Sequence, residues 1–225
     1  MDDKKLFKKR VQDFSKEFAI KHGFKLLKRT FLIRSRANLL QMICFNFQGS
    51  SMHCHIAIQP LYIPASFLHF TYGNRLNYFK TQEKGTWGTD VTKIDNDIDR
   101  IMSLLEKNVM PFFDEVSSPE TFINYTVALK HKASLFNDVM CAPYFAEIYK
   151  GYSYLYMKGY EEAKRCFGKA IELSTDRIGE DERVALMVSL ITDIDDKNYE
   201  KIDSRLNEFI SYTVSECGIE NLVVT

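Results

Sequence analysis

The chain has 225 residues, 45% of them hydrophobic and 27% charged, a balance that supports a buried globular core. Lys+Arg and Asp+Glu stand at 30 each, so no net field draws the molecule to nucleic acid or to an anionic membrane surface. Cys44, Cys54, Cys141, Cys166 and Cys217 are scattered, odd in number and without a CxxC pair. That argues against a disulfide framework or a zinc knuckle and for free thiols in a reducing cytoplasm.

The opening MDDKKLFKKR is charged and lacks the apolar core of a secretion signal. It leads into a helix expected from about Lys4 to Lys21, where Phe7, Val11, Phe14 and Phe18 recur on one stripe at the 3.6-residue period. Gly23 stands where a helix C-cap needs a left-handed residue. From Ala37 to Asn74 there is no Asp, Glu, Lys or Arg, yet polar residues and prolines interrupt the stretch too often for a membrane span. It reads as buried sheet.

Four strands are expected. Phe24 to Arg34 alternates, with Leu27, Phe31 and Ile33 on one side and Lys28, Thr30 and Arg34 on the other. Asn38 to Gln48 is apolar on both faces, as a central strand should be, and a turn at Gly49-Ser50-Ser51 joins it to Met52–Leu61. In that third strand Met52, Cys54, Ile56 and Ile58 face one way, and His53, His55, Ala57 and Gln59 the other. Pro60 and Pro64 end it. A fourth, Phe67 to Tyr72, is expected to stop at a Gly73-Asn74 turn. Asn77 to Thr89, with Gly85 and Gly88 around Trp87, reads as a surface loop. Ile94, Ile98, Ile101 and Leu105 mark a second amphipathic helix, closed by Pro111.

Val116-Ser117-Ser118-Pro119 is the best boundary, because a serine followed by Pro and Glu starts a helix well. Helices are expected over about Pro119–Ala133, Pro143–Met157, Tyr160–Leu173, Asp181–Ile194 and Tyr199–Cys217, with a possible short strand at Leu222-Val223-Val224. The fold class is therefore α+β: a four-stranded antiparallel sheet with two helices over residues 1–116, then an all-α region over 117–225 packed against it.

Gly151, Tyr154, Ala163, Phe167 and Ala170 fall at the offsets that two closely packed antiparallel helices require, and the segment from Gly151 through Ala163 to Leu173 resembles a tetratricopeptide repeat. The aromatic start of its first helix is displaced to Tyr144 and Phe145, and the closing proline is missing near Thr175. The next hairpin, Val184 to Cys217, keeps only Tyr199-Glu200-Lys201 of the pattern. The N-terminal half is similar to a bacterial family defined only as a domain of unknown function (number four-three-zero-four in that series). The similarity rests on Gly23-Phe24-Lys25, Phe31, Phe45-Asn46-Phe47-Gln48, Ile58-Gln59-Pro60-Leu61-Tyr62, Phe70-Thr71-Tyr72-Gly73-Asn74-Arg75-Leu76 and Pro111-Phe112-Phe113. It implies a small bacterial cytoplasmic α+β domain and brings no catalytic residues with it.

His53 and His55, at i and i+2, share a strand face and could begin a metal site if His69 joined them. Three or four ligands are needed, however, and a hydrogen-bonded aromatic sheet face is the expectation. Asp95, Asp97 and Asp99 have the spacing of a calcium loop but lie within a helical period, without the glycine turn or the closing Glu. Lys4, Lys5, Lys8, Lys9 and Arg10 could track phosphates, but the aromatics between them form the buried stripe. GxSxG, HExxH, GxxxxGK[ST] and GxGxxG are absent from the sequence. Gln59, Tyr62, Asn74 and Arg75, at strand ends beside turns, suit a recognition surface on a rigid scaffold. The expectation is a non-catalytic protein-interaction module without cofactor, metal, nucleic-acid or membrane partner. The alternatives are an immunity-like protein that neutralises a toxin, or a small-ligand binder using the sheet face of His53, His55 and Gln59.

Overall fold

The first helix, α1 (Asp3–His22), buries the stripe its periodicity announces: Phe7 and Val11 are fully buried, Phe14 and Phe18 nearly so. Gly23 at φ 70° lets the Phe24 amide reach back to the Ala19 carbonyl (2.9 Å), which ends the helix. The computed structural model describes residues 3–48, 51–70, 72–76, 87–88, 94–130, 143–174 and 181–222.

The strands are β1 (Lys25–Lys28), β2 (Phe31–Arg36), β3 (Leu39–Gln48), β4 (Ser51–Pro60), β5 (Tyr72–Arg75) and β6 (Trp87–Gly88). All pairings are antiparallel in the order β1-β2-β3-β4-β5, with β6 also on β4, so the sheet is larger than the four strands expected. Two differences add strands and a third moves one. The alternation of Phe24–Arg34 is two strands folded back at Arg29-Thr30, because Leu26 pairs with Leu32 and Lys25 with Ile33. Of the expected strand Phe67–Tyr72, Phe67–Phe70 are not in a strand, whereas Tyr72 belongs to β5 and Gly73-Asn74 lies within that strand rather than in a turn. Trp87-Gly88, read as loop, pairs with Ser51-Met52; the Gly49-Ser50 turn and the rest of Asn77–Thr89 lie outside the described residues.

Gly73 is there for close approach. A methyl group on it would strike the Ile56 carbonyl and the Ala57 Cα of β4, so only glycine lets this strand lie so near its neighbour. The β2–β3 turn is equally specific: Ala37 (φ 47°) and Asn38 (φ 58°) both take left-handed backbone, as a two-residue hairpin turn of primed type demands.

One sheet face packs on α1, with Phe7 against Phe47 and Phe14 against Phe45, both at 5.9 Å in edge contacts. The same face meets the helix after the sheet, which runs as α2 (Ile94–Leu104), a π turn (Leu105–Val109) and α3 (Met110–Glu115). Pro111 sits in the first turn of α3 and does not close the helix. The wide π turn displaces the carbonyl that its ring would otherwise meet. Glu106, in that π turn, accepts hydrogen bonds from Lys21 Nζ (2.6 Å) and His22 Nε2 (2.8 Å), joining it to the end of α1.

Arg34 is buried and central to this layer, although its place in the alternation put it with the polar side. Its Nε donates to Gln41 Oε1 (2.8 Å) and its Nη1 to the His22 carbonyl (2.9 Å), while Gln41 Nε2 donates to the Phe113 carbonyl (2.6 Å). A side-chain chain thus satisfies backbone groups at two helix ends.

The remaining helices are α4 (Pro119–Lys130), α5 (Pro143–Tyr156), α6 (Tyr160–Glu172), α7 (Asp181–Asp195) and α8 (Tyr199–Glu216). Ser118 Oγ accepts from the Thr121 amide (3.3 Å) and caps α4 ahead of Pro119. Residues beyond Lys130 of the expected first helix, and Val223-Val224, lie outside the described residues; Leu222 is in a turn. The hairpins α5–α6 and α7–α8 share one turn geometry. In the first, Lys158 (φ 65°) precedes Gly159, whose amide bonds to the Tyr154 carbonyl at 2.9 Å; in the second, Lys197 (φ 59°) precedes Asn198, bonded to the Asp193 carbonyl at 2.8 Å. The tyrosines that follow, Tyr160 and Tyr199, stack at 4.3 Å and set the hairpin tips side by side. Within the first hairpin, a Cβ at Gly151 would come within 2.5 Å of the Phe167 ring. One connected apolar core runs from α1 through the sheet to α8.

Two buried carboxylates lie among these helices. Asp193 accepts from Lys201 Nζ (2.6 Å) and Arg205 Nη1 (2.8 Å), and Glu147 from Lys150 Nζ (2.6 Å). Burial by itself pushes the Asp193 carboxyl up, but the hydrogen bonds and charges of Lys201 and Arg205 outweigh it and hold the group below the ordinary carboxylate range. Its stabilising contribution is complete above the unfolded carboxyl value and disappears as pH falls through the lower folded one. Urea midpoints should therefore place Asp193→Asn well below the natural protein at pH 7, with the gap closing below about pH 4. A gap independent of pH would contradict this. Gly73→Ala should lose about 2–3 kcal/mol in the same measurement, within the range of severe packing substitutions.

Candidate functional site

Along β4 successive side chains alternate between faces, and register partners across the sheet share a face. Phe45 pairs with Cys54 and Phe47 with Met52 on the side of α1, so Cys44–His55, Asn46–His53 and Leu40–Gln59 lie on the other. Arg75 of β5 stands opposite His55, and Asn74 opposite Ile56. His53, His55 and Arg75 are thereby brought together. The two imidazoles are 6.4 Å apart, and the His55 ring lies against Phe70 (5.7 Å), which in turn meets Phe31 (5.7 Å). Burial lowers the pKa of both histidines, and the Arg75 charge lowers it further. His69 stands apart from this pair. Among the described residues no group of three or more His, Cys, Asp or Glu side chains is arranged to hold a metal.

Gln59 shares that face but is 3% exposed and turned to another task. Its Oε1 accepts from the His69 amide (2.7 Å) and its Nε2 donates weakly to the Phe67 carbonyl (3.5 Å). One side-chain amide thus takes the place of ladder partners, and residues 61–70 run as a loop where sequence alternation suggested a strand.

Tyr62 is fully buried. Its ring stacks on Tyr156 of α5 (4.5 Å, 13° between planes) and its hydroxyl meets Ser153 Oγ at 2.9 Å. Ser153 spends its single proton on the Tyr149 carbonyl (2.8 Å), so Tyr62 is the donor, and burial pushes the phenol's pKa far up. Thr213 of α8 holds the next residues, accepting from the Ala65 amide and donating to the Ile63 carbonyl, both at 3.1 Å. Asn38, in the β2–β3 turn, donates to Tyr156 Oη (2.8 Å). Tyr62 is an anchor between sheet and helices.

With its ends held in this way, the loop leaves a cleft of about 260 Å³ against the helices. Gln59, Pro60, Ile63, Pro64, Ala65, Phe67 and His69 form one wall; Phe145, Ile148 and Tyr149 of α5 and Arg183 of α7 form the other. The Phe67 ring, 61% exposed, lies 4.1 Å from the imidazole of His69. The Arg183 guanidinium lies 5.7 Å from the centre of the Phe145 ring. Burial, and then the Arg183 charge, lowers the pKa of His69. The cleft is apolar over most of its wall, with a cation and a neutral imidazole at its polar end.

Of the candidate binding residues His53, His55, Gln59, Tyr62, Asn74 and Arg75, Gln59 alone is among the described residues lining this cleft, where it is joined by His69, weighed above as a third metal ligand. His53, His55 and Arg75 form a separate cluster on the same sheet face, Tyr62 is buried beside it, and Asn74 is placed by its backbone register alone. The alternating aromatics of Ser66-Phe67-Leu68-His69-Phe70 and the displaced Tyr144-Phe145 pair were visible signals for two walls. Arg183 carried none, being one charged residue among several at the start of a helix. No family model, curated protein or solved structure matches the chain. No helix among the described residues is long and apolar enough to cross a membrane.

Gln59→Leu should leave the His69 amide and the Phe67 carbonyl unpartnered and cost about 1–3 kcal/mol. Amide exchange would locate the effect: faster exchange at His69 with β3 unaffected fits, whereas uniform loosening of the sheet does not.

Proposed function

We propose that this chain is a non-catalytic protein-interaction module that receives an apolar side chain of its partner in the cleft between residues 61–70 and the helices α5 and α7. The observation that carries the reading is the concave aromatic wall with Phe67 at its rim. An aromatic ring 61% exposed next to a largely apolar hollow gains solvation free energy when a partner covers it, and aromatic residues at such rims anchor interfaces. The paired hairpins fit the same role, because helical repeats of tetratricopeptide type build binding surfaces. A bacterial, cytoplasmic setting belongs to this proposal; the free thiols of Cys44, Cys54, Cys166 and Cys217 support its reducing compartment.

A small-ligand reading is favoured by a different observation, the gathering of Gln59, His69 and Arg183 at one end of an otherwise apolar hollow. It is the second choice because the volume is at the small end for such sites.

A photo-crosslinking residue placed at Phe67 should capture a discrete protein band in cells of the source organism. The same group at Ile20, 85% exposed on α1, should not capture it. Phe67→Glu should abolish co-purification of that band while the circular dichroism spectrum and melting temperature stay unchanged. Equal capture from both positions, or no band from either, would rule the reading out.

A further inference from the structure

In the wall of the cleft the half-buried imidazole of His69 lies 4.1 Å from the Phe67 ring. Its place is fixed through the backbone, because the His69 amide donates to Gln59 Oε1 at 2.7 Å. No group among the described residues hydrogen-bonds the ring itself. The titratable and charged groups that face it from the packed helices, among the described residues, are Arg183 of α7 and the Tyr149 phenol of α5. Arg183 lies over the Phe145 ring and Tyr149 packs on Tyr72 (4.5 Å), and neither is needed to bind an occupant. Burial first, and the Arg183 charge second, hold His69 below the ordinary imidazole range. Near neutral pH the ring therefore carries one N–H donor and one bare nitrogen that accepts. Gln59 does not compete as an acceptor, since its amide is committed to the loop backbone. At interior packing density, 260 Å³ accommodates on the order of 190 Å³ of ligand atoms, room for the bulkiest side chain rather than a phenyl group.

Resting on the reading of the cleft as the binding site, we propose that it receives a tryptophan side chain of a partner protein, the indole seated between Phe67 and Ile148 and its N–H donated to the His69 imidazole. An indole is an apolar plate with a single polar atom, a donor with no acceptor, so one accepting nitrogen in an otherwise apolar hollow satisfies it completely. A phenyl ring would cover that nitrogen and leave it unpaired. A phenol also donates, but it fills less of the hollow and brings an oxygen that needs donors of its own. Because the bond requires an unprotonated imidazole, occupancy is coupled to pH. An indole over His69 excludes the proton, so binding is complete above the folded His69 value and weakens as pH falls through it, by at most about tenfold per pH unit.

The probes that test this are N-acetyl-tryptophanamide and its benzothienylalanine counterpart, in which sulfur replaces the indole N–H and the outline is kept. Neither titrates between about pH 5 and 8, so any pH dependence belongs to the protein. Titrated into the full chain at about pH 7.5, with the methyl groups of Ile63 and Ile148 followed by NMR, the indole probe should give saturable shifts. It should bind about three- to tenfold more tightly than the sulfur probe. That preference should disappear as the pH is lowered to about 5. His69→Phe should erase both the preference and its pH dependence, while His69→Gln, which keeps an acceptor, should retain part of the preference at every pH. His53 and His55 remain in these variants, so their own titration is separated from the effect. The group that Gln59 holds is the backbone amide, so both variants keep the bond that shapes the loop. N-acetyl-tyrosinamide should bind more weakly than the indole probe, and a blocked pentapeptide with a central tryptophan more tightly. Equal binding of the indole and sulfur probes, or a preference that survives His69→Phe or stays constant with pH, overturns donation to His69 and leaves the cleft reading to the Phe67 crosslink. A tyrosine probe as tight as the indole one overturns the choice of side chain, and a pentapeptide no tighter than the amino amide overturns a protein as its source. Absence of any methyl shift overturns the tryptophan, and if the Phe67 crosslink also fails, the cleft reading falls with it.

Discussion

The contact on which this molecule turns is the stack of Tyr62 on Tyr156, locked by the hydrogen bond from Tyr62 to Ser153. β4 ends at Pro60, and two residues later the chain is committed to α5. A buried phenol needs a partner, and Ser153 supplies the acceptor because its own proton is already given to Tyr149. The loop that follows is held at further points: Ile63 and Ala65 reach Thr213 on α8, and Gln59 holds the backbone at Phe67 and His69. The cleft is the space left between an anchored loop and the helices that anchor it.

A second constraint comes from the stretch without formal charge, Ala37 to Asn74. Where a strand cannot continue, its backbone groups still need partners, and the buried glutamines supply them. Gln59 holds the Phe67–His69 backbone, and Gln41, itself held by Arg34, holds the Phe113 carbonyl at the end of α3. Neutral amides can do this in an apolar setting at little desolvation cost, whereas a carboxylate could not.

The helical part is stabilised in another manner. Each hairpin turn places a lysine in left-handed backbone, a conformation that costs free energy without glycine, and offsets it with paired backbone hydrogen bonds. Asp193 sits next to the second of these turns and is held by Lys201 and Arg205 of the facing helix, so a buried charge cluster ties α7 to α8. In the first hairpin the equivalent closeness comes from Gly151 against Phe167, by shape.

By itself the sequence determined the α+β class, the amphipathic stripe of α1, the pairing of β3 with β4 and the positions of the five helices after Ser118. These depend on periodicity and on residues with strong local preferences, such as Gly23, Pro60 and Pro119. Tertiary structure decided where local pattern and long-range packing competed. The alternation of Phe24–Arg34 is satisfied equally by one strand or two, and Gly73 signals a turn or a close approach with the same letter. Pro111 closes a helix unless a π turn precedes it. The site followed the same rule. Gln59 was legible as a polar residue at a strand end, but a cleft is a relation between Phe67 on a loop, Phe145 on one helix and Arg183 on another, brought together by packing. That relation has no period and no spacing along the chain, so only the folded structure contains it.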